Sequence, residues 1–217
     1  MVSLFTCAGH LHDALVGCCA ACGAATRRLT CEACRGVPPL EWQLAGVVGF
    51  SAAPYAGVVG ERVRRLKYHD ETHWAGPLGR LLGVRMSPRI APHVALVPVP
   101  LHPTRLAERG FNQAALVARA AARAGNWRVF TDVLARRRDT AHQVQKGADA
   151  RRKNVENAFE VTRLPNVPVL LVDDVATTGS TLSECVLCLR RAGAIVQGVM
   201  TVALAGAEGH DGSRSPG

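Results

Sequence analysis

The chain has 217 residues, a formal net charge of +9, 48% hydrophobic and 20% charged residues. That suits one domain of ordinary size with a small appendage and is ample for a packed core. Only 5% of residues are aromatic, so the core must be mostly Val, Leu and Ala. No apolar run reaches membrane-spanning length. Met1-Val-Ser-Leu-Phe-Thr-Cys7 lacks the basic start and long apolar stretch of a secretion signal, so the expected compartment is the cytoplasm. Of the 26 basic residues only Lys67, Lys146 and Lys153 are lysine. An arginine-rich surface suits phosphates, pyrophosphate or nucleic acid. The codon composition of a GC-rich genome, which also enriches Ala and Gly, accounts for it equally well.

In chain order, the first feature is a cysteine cluster. Cys19-Ala-Ala-Cys22-Gly23 is followed, after eight intervening residues, by Cys31-Glu-Ala-Cys34. Two such hooks close a tetrahedral thiolate site, the preference of structural Zn²⁺. Gly23 lets the backbone turn so that N–H groups face the sulfurs. Cys18 could swap with Cys19 as a ligand, and Cys7 is spare. His10 and His12 read as loop histidines. A disulfide framework is disfavoured in the cytoplasm, and no strand precedes the hooks to make a thioredoxin-like redox site.

Pro38-Pro39 marks a boundary near residue 40. A strand is expected over 47–53 and an amphipathic helix over 57–68, with Val58, Val59, Val63 and Leu66 on one side. A second helix should cover 75–82, and a buried strand 94–100 stops at prolines. Gly110-Phe-Asn112 reads as helix entry, with Phe111 as a staple and Asn112 capping a helix over 113–124. A strand is expected over 128–134. The Arg-rich stretch 136–153 suits either a mobile lid or a solvated loop. A strand over 167–172, a helix over 180–192 closed by Gly193 and a strand over 195–204 complete the pattern. Residues 206–217 are Gly- and Ser-rich and expected to be disordered. Cys185 and Cys188 read as buried small side chains of the last helix.

Alternation of strands and helices from residue 94 argues an α/β fold with a parallel sheet. Ligands bind such sheets at the carboxyl ends of the strands. The strand ends bring Pro98-Val99-Pro100-Leu101, the Arg136 segment and Asp173-Asp174 into one candidate site. Lys67 and His69 fall outside that set; Lys67 could reach a phosphate but reads first as a cap on its helix C-terminus.

The most informative segment is Val169-Leu-Leu-Val-Asp173-Asp174-Val175-Ala176-Thr177-Thr178-Gly179-Ser180-Thr181. A buried strand ends in two acids only where something uses them, because unpaired carboxylates are costly to bury. The loop beyond offers backbone N–H groups and hydroxyls at a helix N-terminus, where phosphate is favoured. A ligand with a diol and a phosphate, such as a ribose 5-phosphate, would satisfy both halves. A Walker B acid would need a G-x-x-x-x-G-K-[ST] partner, which the chain lacks.

This segment resembles the phosphoribosyl pyrophosphate (PRPP) motif of type I phosphoribosyltransferases. Together with the cysteine hooks, Arg64-Arg-Leu-Lys-Tyr-His-Asp70, Val97-Pro-Val-Pro-Leu-His-Pro103, Glu108-Arg-Gly-Phe-Asn-Gln113, Thr140-Ala-His-Gln143 and Ala150 to Phe159, it resembles the ComF family, phosphoribosyltransferase-like proteins associated with bacterial competence. The resemblance implies a zinc-binding domain over 1–40, a type I phosphoribosyltransferase-like sheet flanked by helices over 41–205, and a family-like homodimer. Asp173 and Asp174 would be the catalytic pair holding the ribose 2- and 3-hydroxyls. Val175, Ala176, Thr177, Thr178, Gly179, Ser180 and Thr181 would surround the 5-phosphate, and Val99, Pro100 and Leu101 would face the pyrophosphate. Mg²⁺ would accompany PRPP. Arg105 and Arg109 are candidate pyrophosphate contacts or ordinary surface ion pairs. Transfer to an unassigned acceptor is the expected reaction. Two other roles stay open: binding of single-stranded DNA, which the charge favours and the scarcity of aromatics disfavours, and docking of an uptake helicase or other competence protein through the zinc domain.

Overall fold

A computed structural model describes residues 17–137 and 158–207. Residues 138–153 of the candidate lid, the spare Cys7, His10 and His12, and nearly all of the expected disordered tail lie outside the described residues.

The fold is a mixed α/β sandwich around a mostly parallel sheet. Strands β1 (Leu40–Leu44) and β2 (Val47–Pro54) are joined antiparallel. The turn between them, Ala45-Gly46, has positive φ at both residues, the conformation of a tight two-residue hairpin. Helices α1 (Gly57–Tyr68) and α2 (Ala75–Met86) follow. Next come strand β3 (Ala95–Pro98), a short helix α3 (Pro103–Arg109) and helix α4 (Gln113–Gly125). Strands β4 (Arg128–Val129), β5 (Leu134–Arg136), β6 (Phe159–Val161) and β7 (Val169–Ala176), helix α5 (Ser180–Arg191) and strand β8 (Val196–Leu204) complete the described chain. The main sheet runs β1-β2-β8-β7-β3-β4, and every pairing except β1–β2 is parallel. Strands β5 and β6 form a separate antiparallel ribbon.

Helices α1, α2 and α4 cover one face of the sheet, with Val63, Leu66, Leu78, Leu82 and Val117 packed on Leu170 and Met200. Helix α5 and the ribbon cover the other, where Leu182, Cys185, Val186 and Leu189 meet Val97, Leu171 and Val199. The core is aliphatic, as the aromatic-poor composition requires. Helices α2 and α4 approach unusually closely at Gly79 and Gly83. A Cβ at Gly79 would stand 2.5 Å from the Val117 carbonyl, and one at Gly83 2.5 Å from that of Ala121.

Several elements differ from expectation. The strand expected over 128–134 is broken: β4 leaves the sheet after Val129, and Leu134 begins the ribbon. Pairing decides this, since β4 bonds β3 whereas β5 bonds only β6. The second helix runs four residues further, to Met86, because Leu81, Leu82 and Met86 are all buried. Strands β1 and β6 and helix α3 are additional; α3 carries Pro103 at its start and left-handed Gly110 just past its end, a usual pair of helix boundaries. Helix α4 starts as expected, with Asn112 Oδ1 accepting from the Ala115 N–H at 3.3 Å.

Candidate metal and ligand sites

The cysteine knuckle is built from short-range turns. Cys19 N–H donates to Ala24 O, Gly23 N–H to Cys19 O and Arg35 N–H to Cys31 O. Gly23 takes φ +80, so the hook closes as the sequence implied. The Sγ atoms of Cys19, Cys22, Cys31 and Cys34 all lie within 4.8 Å of one another. Ligand sulfurs around tetrahedral Zn²⁺, at Zn–S of about 2.3 Å, would sit roughly 3.8 Å apart, and Cys22 and Cys31 are already at 3.6 Å. The four thiols therefore fit a structural zinc. Burial raises the Cys19 thiol's pKa, but donors from the Cys22, Cys31 and Ala21 backbones outweigh it and bring the group down to about 7. Burial and the neighbouring thiols push Cys34 up, which is the repulsion a dication would relieve. Cys18 stands apart from the four: its sulfur accepts from Arg62 Nη2 at 3.0 Å.

The knuckle is tied to the sheet domain by two arginines. Buried Arg62 of α1 donates from Nη1 to the carbonyls of Cys19 and Ala20, each at 2.9 Å, and its guanidinium stacks 4.6 Å from the Trp74 ring. Arg85 of α2 donates to Ala52 O and, at 3.4 Å, to Cys34 O. Ala20 itself belongs to the main core.

The second site is a cleft at the carboxyl ends of β3 and β7. Its walls are Val99, Pro100 and Leu101 after β3, Asp173 to Val175 on β7, and Thr177 to Leu182 leading into α5. Gln113, Arg136 and Lys67 complete it. Topology explains the convergence. Parallel pairing of β3 with β7 sets Pro98 beside Val172, and Val99 N–H donates to Val172 O at 2.9 Å. Asn112 then holds the loop, its Nδ2 donating to Val99 O at 3.0 Å. The expected strand-end set is thus brought together: 99–101, Arg136 and the acid pair share one cleft.

The acids differ in setting. Strand β7 continues through them to Ala176, so the pair sits within the strand rather than beyond its end. Asp173 is half-buried, and its Oδ1 accepts the Asp174 N–H at 2.8 Å. Burial and the Asp174 charge push the Asp173 carboxyl up to about 8, against the pull of Lys67. Asp174 is only 2% exposed. Its Oδ1 accepts from Lys67 Nζ at 2.9 Å, and among the described residues its Oδ2 is buried without a partner.

Lys67 therefore corrects the sequence reading. It does not end as a helix cap; its ammonium crosses from α1 to the acid pair. Burial lowers its pKa, but the charges of Asp174 and Asp173 more than offset this and raise it. The detectable signal was the helical period: Lys67 follows buried Val63 by four residues and Arg62 by five.

The loop after the acids is tight. Gly179 has φ +73 and caps α5, and a Cβ there would meet Leu44 Cδ1 at 2.5 Å. Thr178 Oγ1 and Ser180 Oγ are 3.0 Å apart, and both residues line the cleft. Ala176, in contrast, is buried within β7 and does not line the cleft. Arg105 and Arg109 also stand behind it. Arg109 Nη1 donates to Gln113 Oε1 at 2.7 Å, and Arg105 lies 4.0 Å from Glu108.

No family model matches the chain. It is 34% identical over 191 residues to DNA utilization protein YhgH of Escherichia coli K12, covering 81% of this chain and 79% of that protein. The Salmonella typhimurium protein of the same name is 34% identical over 188 residues, covering 82% and 80%. Competence protein F of Haemophilus influenzae is 29% identical over 211 residues, covering 86% and 90%. The chain belongs to the ComF family. The ComF resemblance read from the sequence motifs is thereby borne out over most of the chain. Among the described residues no helix is long and apolar enough to cross a membrane.

Proposed function

We propose that this ComF-family protein binds PRPP and transfers its phosphoribosyl group to an acceptor nucleophile. The observation that carries the reading is the meeting, in one cleft, of the Asp173-Asp174 pair, the Thr177–Thr181 loop and the loop 99–101. The acids would accept the ribose 2- and 3-hydroxyls, and the loop opening α5 would take the 5-phosphate through N–H groups and hydroxyls. Val99, Pro100 and Leu101 would face the pyrophosphate. Arg109 would act through Gln113, which lines the cleft. In the reaction the bond from the anomeric carbon to a pyrophosphate oxygen breaks, pyrophosphate leaves with the electron pair, and the acceptor bonds to the opposite face. Mg²⁺ would enter with the ligand and neutralise its pyrophosphate. The unpartnered Asp174 Oδ2 suits a site that gains hydrogen-bond donors from its ligand. The knuckle of Cys19, Cys22, Cys31 and Cys34 would hold structural zinc, as a unit spanning residues 1–40 attached to a catalytic unit over 41–205.

Calorimetric titration with PRPP and Mg²⁺ tests the reading. Binding by the wild type that is lost in Asp173→Asn/Asp174→Asn supports it; a folded wild type that does not bind refutes it.

A second reading is favoured by the names of the relatives, DNA utilization and competence proteins, and by the +9 charge: a single-stranded-DNA or partner-docking accessory. DNA affinity that falls steeply with salt and survives loss of both acids would support it, and no DNA binding at low salt would remove its DNA form.

A further inference from the structure

We propose that Lys67 is the positioning residue of the PRPP pocket: by holding one oxygen of Asp174 it turns the other toward the ligand's hydroxyls. The inference rests on the PRPP reading and assigns to α1 a role in it. In each acid one oxygen is tied by the protein. Asp173 Oδ1 accepts the Asp174 N–H, and Asp174 Oδ1 accepts the Lys67 ammonium at 2.9 Å. Asp174 lines the cleft with Oδ2 buried and unpartnered. A carboxylate oxygen left so is costly unless something completes it, and a hydroxyl donor entering the cleft would do so.

Lys67 is suited to hold a carboxylate still. Its side chain is about four-fifths buried, and α1 is pinned one and a half turns away by Arg62 on the knuckle carbonyls. The titratable and charged groups around the acid pair come from four elements: Lys67 from α1, Arg136 of β5 in the cleft wall, the neutral Cys185 thiol of α5, whose pKa burial and Asp173 raise, and the two acids on β7. Lys67 contacts Asp174 directly. Its charge also opposes the rise of Asp173, so it favours the ionised, acceptor form of the pair.

The test is titration of PRPP with Mg²⁺ into full-length, zinc-loaded wild type, Lys67→Met, Lys67→Gln and Lys67→Arg between pH 6 and 9, with thermal unfolding to confirm folding. The expected result is a loss of affinity of about tenfold or more for Met, since each 1.4 kcal/mol is tenfold. Gln keeps a donor without the charge and should fall between. For Met and Gln the pH at which binding is half-maximal should move upward, because Asp173 then ionises at higher pH. Arg should recover affinity and restore the wild-type midpoint. Folded Met or Gln proteins that bind with wild-type affinity and an unmoved midpoint would overturn the role of Lys67 while leaving the PRPP reading standing. A folded wild type that does not bind brings down both.

Discussion

The cysteine knuckle and the acid cleft are built in opposite ways. The four thiols come from residues 19–34 and are brought together by turns of a few residues. The cleft collects residues from 67 to 182, and its distant walls meet when β3 pairs with β7. Both sites are joined to one helix. Arg62 of α1 grips the knuckle backbone and Lys67, five residues on, grips Asp174. Local spacing therefore suffices to gather a thiol set that fits a metal, whereas the cleft needs long-range pairing to assemble its walls.

The comparison can be broken at the knuckle first. Cys19→Ser should release the metal and unfold the knuckle, costing several kcal/mol, because structural zinc binding is itself folding free energy. Zinc content per chain and the unfolding midpoint should fall together. Since Cys19 and Ala20 are fully buried, the loss should spread to the sheet domain; a midpoint unchanged on metal loss would show the two regions to be independent.

The joint is the next target. Arg62→Met would leave the Cys19 and Ala20 carbonyls without their donor, for about 2–3 kcal/mol of stability. Faster zinc loss to a chelator should accompany it. A variant as stable and as slow to lose zinc as the wild type would mean that the knuckle holds itself.

At the cleft the sign is set by pH. The folded-state pKa of Asp173 is raised to about 8, above the ordinary value near 3.9. The protonated form is therefore preferred by the folded, ligand-free protein. The stability this provides is complete below about pH 4 and is lost as pH rises through about 8. Asp173→Asn should thus match the wild type near pH 4 and exceed it at pH 9, by a few degrees in midpoint. Equal midpoints at pH 9 would show the acid to be unperturbed. The smallest effect is expected at the rim: Asn112→Ala removes the α4 cap and the tether to Val99, costing about 1 kcal/mol by denaturant unfolding.

Much of this was legible in the chain. The hooks are readable because two Cys-x-x-Cys pairs at short interval match the ligand spacing of a structural metal site. Strand β7 and helix α5 were readable because four apolar residues, two acids and a Gly-containing turn set strand, site and helix entry in order. Less legible was β1, whose alternating burial is too short a pattern to stand out. The ribbon β5–β6 was hidden for a different reason: its three-residue strands are defined only by each other. Lys67 was misread because a basic residue near a helix end has a local explanation, the helix dipole, while its actual partner lies more than a hundred residues away.

The sequence by itself determined the α/β order, the thiolate set and the acid-and-loop motif, because each depends on spacing within a few turns of chain. The tertiary structure alone decided that Lys67 belongs to the acid pair, that Arg109 stands behind Gln113, and that Arg62 and Arg85 fasten the knuckle to the core. Those contacts depend on which face of α1, α2 and α4 meets the sheet, and that is settled only when the whole apolar surface is buried at once.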